Sequence, residues 1–256
     1  LSRMSHELRT PLNAMLGFAQ LLELDLRHPL TDAQRPWVAQ IQSAGWHLLE
    51  MINDVLDLSR IEAGKLTLNT GAVDLRELVD EAVGLMAATG RDKPVALHCR
   101  VDAGLPPRVQ ADAVRLRQLL VNLLHNAIKF TERGSVALAV TVLEAGAQTL
   151  RLRFEVRDAG IGIAEDKLDS VFDAFMQADT SSTRRHGGSG LGLAIVKEIA
   201  DLMNGQVGVE SRVGTLPGQP CELAADLADG LTDEEQTEDD HDDAVSDVLD
   251  IEVRRG

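Results

Sequence analysis

The sequence has few aromatic residues and few cysteines. Phenylalanine and tryptophan make up 3% of the 256 residues and tyrosine is absent, which argues against a stacking surface for single-stranded nucleic acid. Cys99 and Cys221 stand far apart, so they indicate neither a disulfide framework nor a zinc site and fit a reducing compartment. No apolar run approaches the ~18 residues of a membrane span, and no signal peptide is visible.

Positive charge is also scarce. The formal net charge is −16, which argues against a protein that binds the phosphate backbone of nucleic acid. Thirteen of the 41 acidic residues lie between Asp226 and Gly256. Since the run from Thr232 to Asp243 has almost no apolar residue, residues 227–256 are predicted to be an acidic, disordered tail or linker. An acidic interaction arm is the alternative for this tail.

Two apolar stripes with helical spacing fill the first part of the chain. Spacings that alternate between four and three residues predict two amphipathic helices, with stripes at Leu8, Leu12, Met15, Ala19, Leu22, Leu26 and at Trp37, Ile41, Ala44, Leu48, Met51, Val55, Leu58. The connection around Pro29 is short, so the helices should pack antiparallel. Because two helices alone have too little core, the pattern predicts a homodimeric four-helix bundle.

A histidine near the start of the first helix faces away from this seam. On the heptad register, His6 points toward water beside Glu7, one turn before Pro11, and a proline tends to kink a helix. A neutral imidazole is a nucleophile near pH 7, and an adjacent carboxylate can orient it or accept its proton. A surface histidine without a function is the alternative.

Helices and strands are mixed after Gly71. The patterns predict helices over 74–89, 112–130 and 191–204, and strands over 95–101, 135–142, 149–157 and 206–211. The strands over 135–142 and 149–157 alternate with period two and should pair. This mixture predicts an α+β two-layer sandwich.

Three groups of residues on this scaffold suit nucleotide binding. Asn122, Asn126 and Lys129 share one helix face, where an amide oxygen suits Mg²⁺ and an ammonium suits a phosphate. Asp158 ends a strand and precedes closely spaced glycines, which let a ligand approach the backbone. The glycine-rich run 187–192 opens onto a helix N-terminus, which forms a phosphate cradle. Taken singly, a solvated helix face, an ordinary turn and a flexible linker are the alternatives.

The order of these motifs resembles that of two-component sensor histidine kinases. Residues 5–12 resemble the phosphoacceptor-histidine box, and residues 47–66 resemble the second helix of the dimerisation domain. Residues 122–130 resemble the N box, and residues 158–162 resemble the first glycine box. Residues 172–175 resemble the box of two phenylalanines, and residues 188–192 resemble the second glycine box. The glycines match neither a Rossmann nor a P-loop pattern. Asparagine in the N box differs from the glutamate of related chaperone, gyrase and mismatch-repair ATPases.

The resemblance implies a fold, a division into domains and a reaction. The expected fold is α + α/β, in which a helical hairpin that dimerises into a four-helix bundle precedes a sandwich of the histidine-kinase ATPase type. Residues 1–67 would form the dimerisation and histidine phosphotransfer domain, and residues 68–226 the ATP-binding catalytic domain. The implied enzyme is a protein-histidine kinase that autophosphorylates His6 with help from Glu7. It would pass the phosphoryl group to an aspartate of a response-regulator receiver, and Thr10 matches a position associated with dephosphorylating that receiver.

ATP and Mg²⁺ are the implied cofactors. Asn126 would ligate Mg²⁺, Asp158 would receive the adenine amino group, and a mobile lid over 178–187 would touch the γ-phosphate. The nucleotide site implied by the resemblance consists of Asn122, Asn126, Lys129, Phe130, Asp158, Gly160, Gly162, Arg184, Arg185, Gly188, Gly190, Leu191 and Gly192.

The implied partners are a second copy of the chain and a receiver domain. An upstream sensor domain is expected to be absent from this chain, as are a membrane span and nucleic acid. The expected location is the cytoplasm, which includes the cytoplasmic part of a membrane-anchored receptor. A non-catalytic dimerisation and nucleotide-binding module, and a phosphatase acting on the receiver, are the alternative functions.

One segment departs from the family pattern. Residues 214–221 carry two prolines and no aromatic residue where the family closes its sheet, so the closing strand is expected to be altered or irregular. This departure puts stability and nucleotide affinity in question. Residues 248–252 faintly resemble the first strand of a receiver domain.

Overall fold

The computed structural model describes residues 2–89, 93–146, 149–176, 189–211 and 245–255. Within these ranges, the side chains of residues 2–6, 62, 88, 89, 245–248 and 252–255 are outside the description. The chain begins with a hairpin of two long helices, α1 (Ser2–Leu24) and α2 (Arg35–Glu62). An α+β domain follows, which is built around one mixed sheet. The predicted order of a helical hairpin and a sandwich is confirmed.

The hairpin is held by a narrow apolar contact and by two polar pairs. Leu12, Leu16 and Ala19 of α1 are buried, as is Val38 of α2. Arg9 Nη2 donates to Asn53 Oδ1 over 2.8 Å, and Gln42 Nε2 donates to Glu23 Oε2 over 3.0 Å. Since residue 9 meets residue 53 and residue 23 meets residue 42, the helices run antiparallel, as predicted.

The connection between the helices is shaped by local hydrogen bonds. Asp25 Oδ1 accepts from the backbone N–H groups of Arg27 and His28, over 2.8 and 3.1 Å. Helix α1 ends at Leu24, just before this turn, so Leu26, the last residue of the predicted apolar stripe, lies outside the helix. Although α2 has 28 residues, no helix in the described ranges is apolar enough over sufficient length to cross a membrane.

Over the described residues, the sheet of the α+β domain has seven strands. In chain order, the elements are β1 (Gly71–Val73), α3 (Leu75–Thr89), β2 (Val95–Val101), β3 (Val109–Ala111), α4 (Ala113–Phe130), β4 (Gly134–Ala145), β5 (Thr149–Asp158), α5 (Glu165–Leu168), α6 (Gly192–Leu202), β6 (Gln206–Ser211) and β7 (Val245–Arg255). The strand order is β1-β3-β7-β5-β4-β2, and β6 also pairs with β7. Only β2 and β4 pair in parallel among these strands. The predicted β4–β5 hairpin is confirmed.

The core lies between one face of the sheet and the long helices. Alternate residues of the central strands are buried, which is the period-two pattern of a strand with one covered face: Val136, Leu138, Val140, Leu150, Leu152, Phe154 and Val156. Helix α4 buries a leucine stripe against them, and α3 and α6 pack on either side of it. This packing fixes α4 along its length, so the orientation of its polar face is set by the core.

Strand β7 contradicts the prediction of disorder for residues 245–255, whereas residues 227–244 lie outside the described residues. Residues 245–255 pair with β5 along ten positions, from Asp158↔Val245 to Thr149↔Arg254. Leu249 and Ile251 are fully buried, and between them Asp250 binds Arg153 through two hydrogen bonds of 2.7 and 2.9 Å. The alternation of apolar and acidic residues, which the overall charge of the segment concealed, makes this stretch a strand.

The predicted departure at 214–221 lies outside the described residues, so it stays a prediction. Within the described residues, β7 is the strand that pairs with the edge of β5 opposite β4. Strand β7 is therefore part of the α+β domain, which does not stop at residue 226, and residues 248–252 are not the first strand of a receiver. The opposite edge of β7 pairs with β6 through residues 245–250 and with β3 through Arg254 and Arg255.

Candidate functional site

Helix α4 carries four of the predicted site residues, which are Asn122, Asn126, Lys129 and Phe130. Asp112 caps its first turn, because Oδ1 accepts from the N–H groups of Val114 and Arg115 over 3.1 Å. Beyond this cap, the leucine stripe faces the core, which leaves Asn122, Asn126 and Lys129 half-buried on another face. The predicted separation of an apolar and a polar face is therefore present.

The polar face of α4 lies against the start of α6. Asn122 Nδ2 donates to the carbonyl oxygen of Gly192 over 3.3 Å. A Cβ added at Gly192 would lie 3.9 Å from both Asn122 Cγ and Asn126 Nδ2. The first N–H groups of a helix have no partner within the helix and favour anions. The structure thus brings the N box and the second glycine box together beside a helix N-terminus.

Asp158 closes the opposite end of this region. It is the last residue of β5, is only 5% exposed, and accepts a hydrogen bond of 2.8 Å from the N–H of Gly160. A Cβ at Gly160 would overlap the Asp158 carboxylate and lie 2.9 Å from the carbonyl oxygen of Phe130. Glycine is therefore required at position 160. Gly162 follows in the same loop.

The segment before α6 is tied to the box of two phenylalanines. The N–H of Phe175 donates to the carbonyl oxygen of Gly190 over 2.9 Å. Gly190 has a φ of +68°, and a Cβ there would lie 2.9 Å from the carbonyl oxygen of Met176. Leu191 is buried, and its N–H donates to Ser189 Oγ over 3.2 Å. These contacts fix the approach of the chain to the first turn of α6.

The electrostatic character of the site is set by partial burial of cationic groups. Lys129 Nζ lies 4.8 Å from the centroid of the Phe130 ring. Burial lowers the pKa of Lys129, and the charge of Glu50 opposes this effect. Burial also lowers the pKa of His125, again opposed by Glu50. An anionic ligand near Lys129 would favour the charged ammonium, so the site suits a phosphate.

Helix α2 contacts this region through two carboxylates that the sequence did not single out. Ser189 Oγ donates to Asp54 Oδ2 over 3.2 Å, and burial raises the pKa of Asp54 to about 6. Asp57 Oδ2 accepts from Arg115 Nη1 and Gln118 Nε2, both over 3.0 Å. The partners are at least 58 positions apart, so no local pattern could have revealed them.

The remaining predicted residues are placed less completely. Arg184, Arg185 and Gly188, together with the predicted lid over 178–187, lie outside the described residues. His6 lies within α1, but its side chain is outside the description; Glu7 and Thr10 are exposed on the same helix.

Two family models match the chain. One is described as the His Kinase A (phospho-acceptor) domain and matches residues 1–64. The other is described as the histidine kinase-, DNA gyrase B- and HSP90-like ATPase and matches residues 111–219. The chain belongs to the two-component sensor histidine kinases. The family resemblance carried by the motifs is confirmed.

Relatives of this histidine kinase core include two large sensor proteins. The autoinducer 2 sensor kinase/phosphatase LuxQ of Vibrio cholerae is 43% identical over 214 residues, which are 84% of this chain and 24% of LuxQ. The signal transduction histidine-protein kinase BarA of Escherichia coli K12 is 42% identical over 212 residues, which are 83% of this chain and 23% of BarA. The chain thus spans about a quarter of the length of these relatives.

Solved structures support the fold of the histidine kinase core. Full-length ShkA in complex with AMPPNP is 33% identical with a TM-score of 0.73, and the match covers all of this chain and 46% of ShkA. The Acinetobacter baumannii histidine kinase AdeS is 20% identical with a TM-score of 0.55, and covers 98% of both chains. At that identity, AdeS supports the fold alone.

Proposed function

We propose that this core uses ATP to phosphorylate His6 and then passes the phosphoryl group to an aspartate of a receiver domain. The supporting observation is the contact between the amide face of α4 and Gly192 at the start of α6. This contact supplies a helix N-terminus for phosphates on the same chain as the phosphoacceptor helix. Residues 1–67 would carry the phosphotransfer, and the α+β domain would bind the nucleotide. The proposed location is the cytoplasm.

The nucleotide would lie along α4 between Asp158 and the first turn of α6. Asp158 would accept a hydrogen bond from the adenine amino group, with Gly160 and Gly162 lining that end and Phe130 packing near the base. Lys129 and the backbone of residues 188–192 would contact the phosphates. The partial burial of Lys129 supports this assignment, because a phosphate would compensate the cost of its charge.

Mg²⁺ would be held mainly by the nucleotide. Within the described ranges, no group of three or more His, Cys, Asp or Glu side chains could hold a metal ion. Asn126, whose amide nitrogen lies near Gly192, offers one oxygen ligand, and Mg²⁺ is usually bound by few protein ligands together with substrate phosphates and water. The residues present therefore fit a nucleotide-borne ion, which would neutralise charge on the β- and γ-phosphates.

The reaction would be an in-line displacement on the γ-phosphorus. A ring nitrogen of His6 would form the new N–P bond as the bond from phosphorus to the β–γ bridging oxygen breaks and ADP leaves. Glu7 would orient the imidazole and take its proton. Catalysis of this kind consists of positioning and charge stabilisation, which would explain why the nucleotide domain contributes amides, glycines and a lysine.

The hairpin is proposed to dimerise through the seam that the sequence predicted. In the single chain, the seam residues are exposed although they are large and apolar: Leu8, Met15, Leu22, Trp37, Ile41, Leu48 and Val55. Large apolar side chains exposed at the positions of a predicted helical seam are typical of an interaction site. A second hairpin would cover both stripes and complete a four-helix bundle.

The test is phosphorylation with γ-labelled ATP and Mg²⁺ of the parent, a His6→Ala variant and a His28→Ala control. His28 is an exposed histidine in the hairpin connection. We expect acid-labile, base-stable label on the parent and the control and none on His6→Ala. Label that persists in His6→Ala would contradict the assignment, and a parent that binds ADP without becoming labelled would favour a non-catalytic binding module.

A phosphatase activity toward the receiver is the second candidate. Thr10 is exposed on α1 one turn after His6, and LuxQ is named as a kinase/phosphatase. With receiver domains of the same genome phosphorylated chemically, the parent should speed the loss of phosphate and Thr10→Ala should not. Equal rates with both proteins would remove this candidate.

A further inference from the structure

Lys93 makes three hydrogen bonds to the C-terminal end of α4. This residue lies two positions before β2, and its Nζ donates to the carbonyl oxygens of Ile128, Lys129 and Thr131 over 2.7, 2.8 and 3.1 Å. An ammonium has three N–H donors, so these bonds use all of them. The last carbonyls of a helix have no helical partners and carry the negative end of its dipole. Lys93 therefore caps α4 from a distant part of the chain.

The carbonyls that Lys93 holds belong to the turn that carries two predicted nucleotide contacts. Lys129 and Phe130 lie between the first and the last of these carbonyls. On the other side of the turn, the carbonyl oxygen of Phe130 approaches Gly160 so closely that a Cβ there would lie 2.9 Å away. The turn is thus fixed between the Lys93 ammonium and the loop after β5.

The same turn reaches the adenine end of the proposed site. Thr131 is fully buried; its hydroxyl donates to the carbonyl oxygen of Ala127 over 2.7 Å and lies 3.5 Å from Asp158 Oδ1. A shift of the α4 terminus would therefore move Lys129 and Phe130 relative to Asp158. The rest of α4 is held independently, by the Asp112 cap and the buried leucines.

We propose that Lys93 is a positioning residue for nucleotide binding. Its ammonium fixes the last turn of α4, so that Lys129 and Phe130 contact the same nucleotide whose adenine amino group binds Asp158. Lys93 itself does not contact the nucleotide, because its donors are taken by the carbonyls. This inference rests on the proposed nucleotide site, and it adds a residue that lies outside the motifs named above.

The test compares Lys93→Met, Lys93→Gln, Lys93→Arg and a control, Lys197→Met, in the full chain. Lys197 is an exposed lysine on α6. Calorimetry measures the Kd for ADP with Mg²⁺, and hydrogen exchange measures protection along α4. Lys93→Met should weaken ADP binding about tenfold, which corresponds to ~1.4 kcal/mol, and should speed exchange at residues 128–131 while residues 116–124 stay protected. Lys197→Met should match the parent.

Rescue separates positioning from a purely structural role. Lys93→Arg keeps a charged group with several donors and should bind ADP within about threefold of the parent. Lys93→Gln has two amide donors and no charge, and should fall between Arg and Met. If Lys93→Met does not fold, the comparison of ADP binding by Lys93→Arg and Lys93→Gln still tests the proposal. Parent-like affinity in Lys93→Met or Lys93→Gln, or equal loss in Arg and Gln, would overturn the proposal.

The outcome is separate from that of the kinase assay. A parent that binds ADP but does not phosphorylate His6 would contradict the proposed function and leave the Lys93 comparison valid. A parent that binds no nucleotide would overturn both proposals. For variants that autophosphorylate, the KM for ATP should rise in Lys93→Met while kcat stays within about threefold of the parent, because the positioned groups bind ATP before the reaction.

Discussion

The Asp54 carboxyl, which joins α2 to the segment before α6, should make the stability of the core depend on pH. Burial raises its pKa from 3.8 to about 6. Because the pKa is higher in the folded state, the stabilising contribution of the protonated form is complete below pH 3.8 and is lost as the pH rises through 6. The difference between a pKa of 3.8 and one of about 6 corresponds to ~3 kcal/mol. The carboxyl is only half-buried, so solvent screening reduces this to ~1 kcal/mol.

An Asp54→Asn variant removes the ionisation and keeps an oxygen that can accept from Ser189. It should raise the free energy of unfolding by ~1 kcal/mol at pH 7.5 and by less than half as much at pH 4. Urea unfolding followed by circular dichroism and by the fluorescence of Trp37 and Trp46, which both lie in α2, measures this difference. Asp32→Asn, at a fully exposed carboxylate, is the control. An equal advantage at both pH values, or a loss of stability at pH 7.5, would refute the reasoning.

Four further substitutions, two of them combined in a double-mutant cycle, test β7, the glycine loop and the contact with α2. Leu249→Ala should lower the free energy of unfolding in urea by ~2–5 kcal/mol, since Leu249 is fully buried; an unchanged value would exclude β7 from the core. Gly190→Ala should lower the free energy of unfolding by ~1–3 kcal/mol, because alanine is strained at the positive φ of this position. It should also weaken ADP binding in calorimetry, and parent-like affinity would contradict this. Arg115→Ala and Asp57→Ala should show a coupling of ~1 kcal/mol in a double-mutant cycle; additive losses would mean that the pair does not stabilise the contact.

Much of the fold follows from local periodicity. The leucine stripe of α4 and the alternation in β4 and β5 are signals within one element, and the structure buries the residues that they select. The order of the motifs likewise identified the family. These predictions succeed because burial on one face imposes its period on the sequence.

The parts that were not predicted depend on residues far apart in the chain. Asp54 and Ser189 are 135 positions apart, and Lys93 is separated by 35 to 38 positions from the carbonyls that it binds at the end of α4. The length of the first apolar stripe was overestimated by one residue, Leu26, because α1 ends at Leu24 and the chain turns at Asp25. Strand β7 was missed because an acidic composition was given more weight than the apolar positions at Leu249 and Ile251.

The position of β7 determines when the α+β domain can fold during synthesis. One edge of β7 pairs with β5 and the other with β6 and β3. Without β7, therefore, no hydrogen-bonded strand connects β5, β6 and β3 into one sheet. At ~5–20 residues per second, the ribosome adds β7 seconds after β6. Until then, one edge of β5 has no β7 to pair with and exposes the hydrogen-bonding groups of a strand rich in apolar residues, which invites pairing with other chains. A fragment cut where the ATPase family model ends, at residue 219, would retain that open edge permanently.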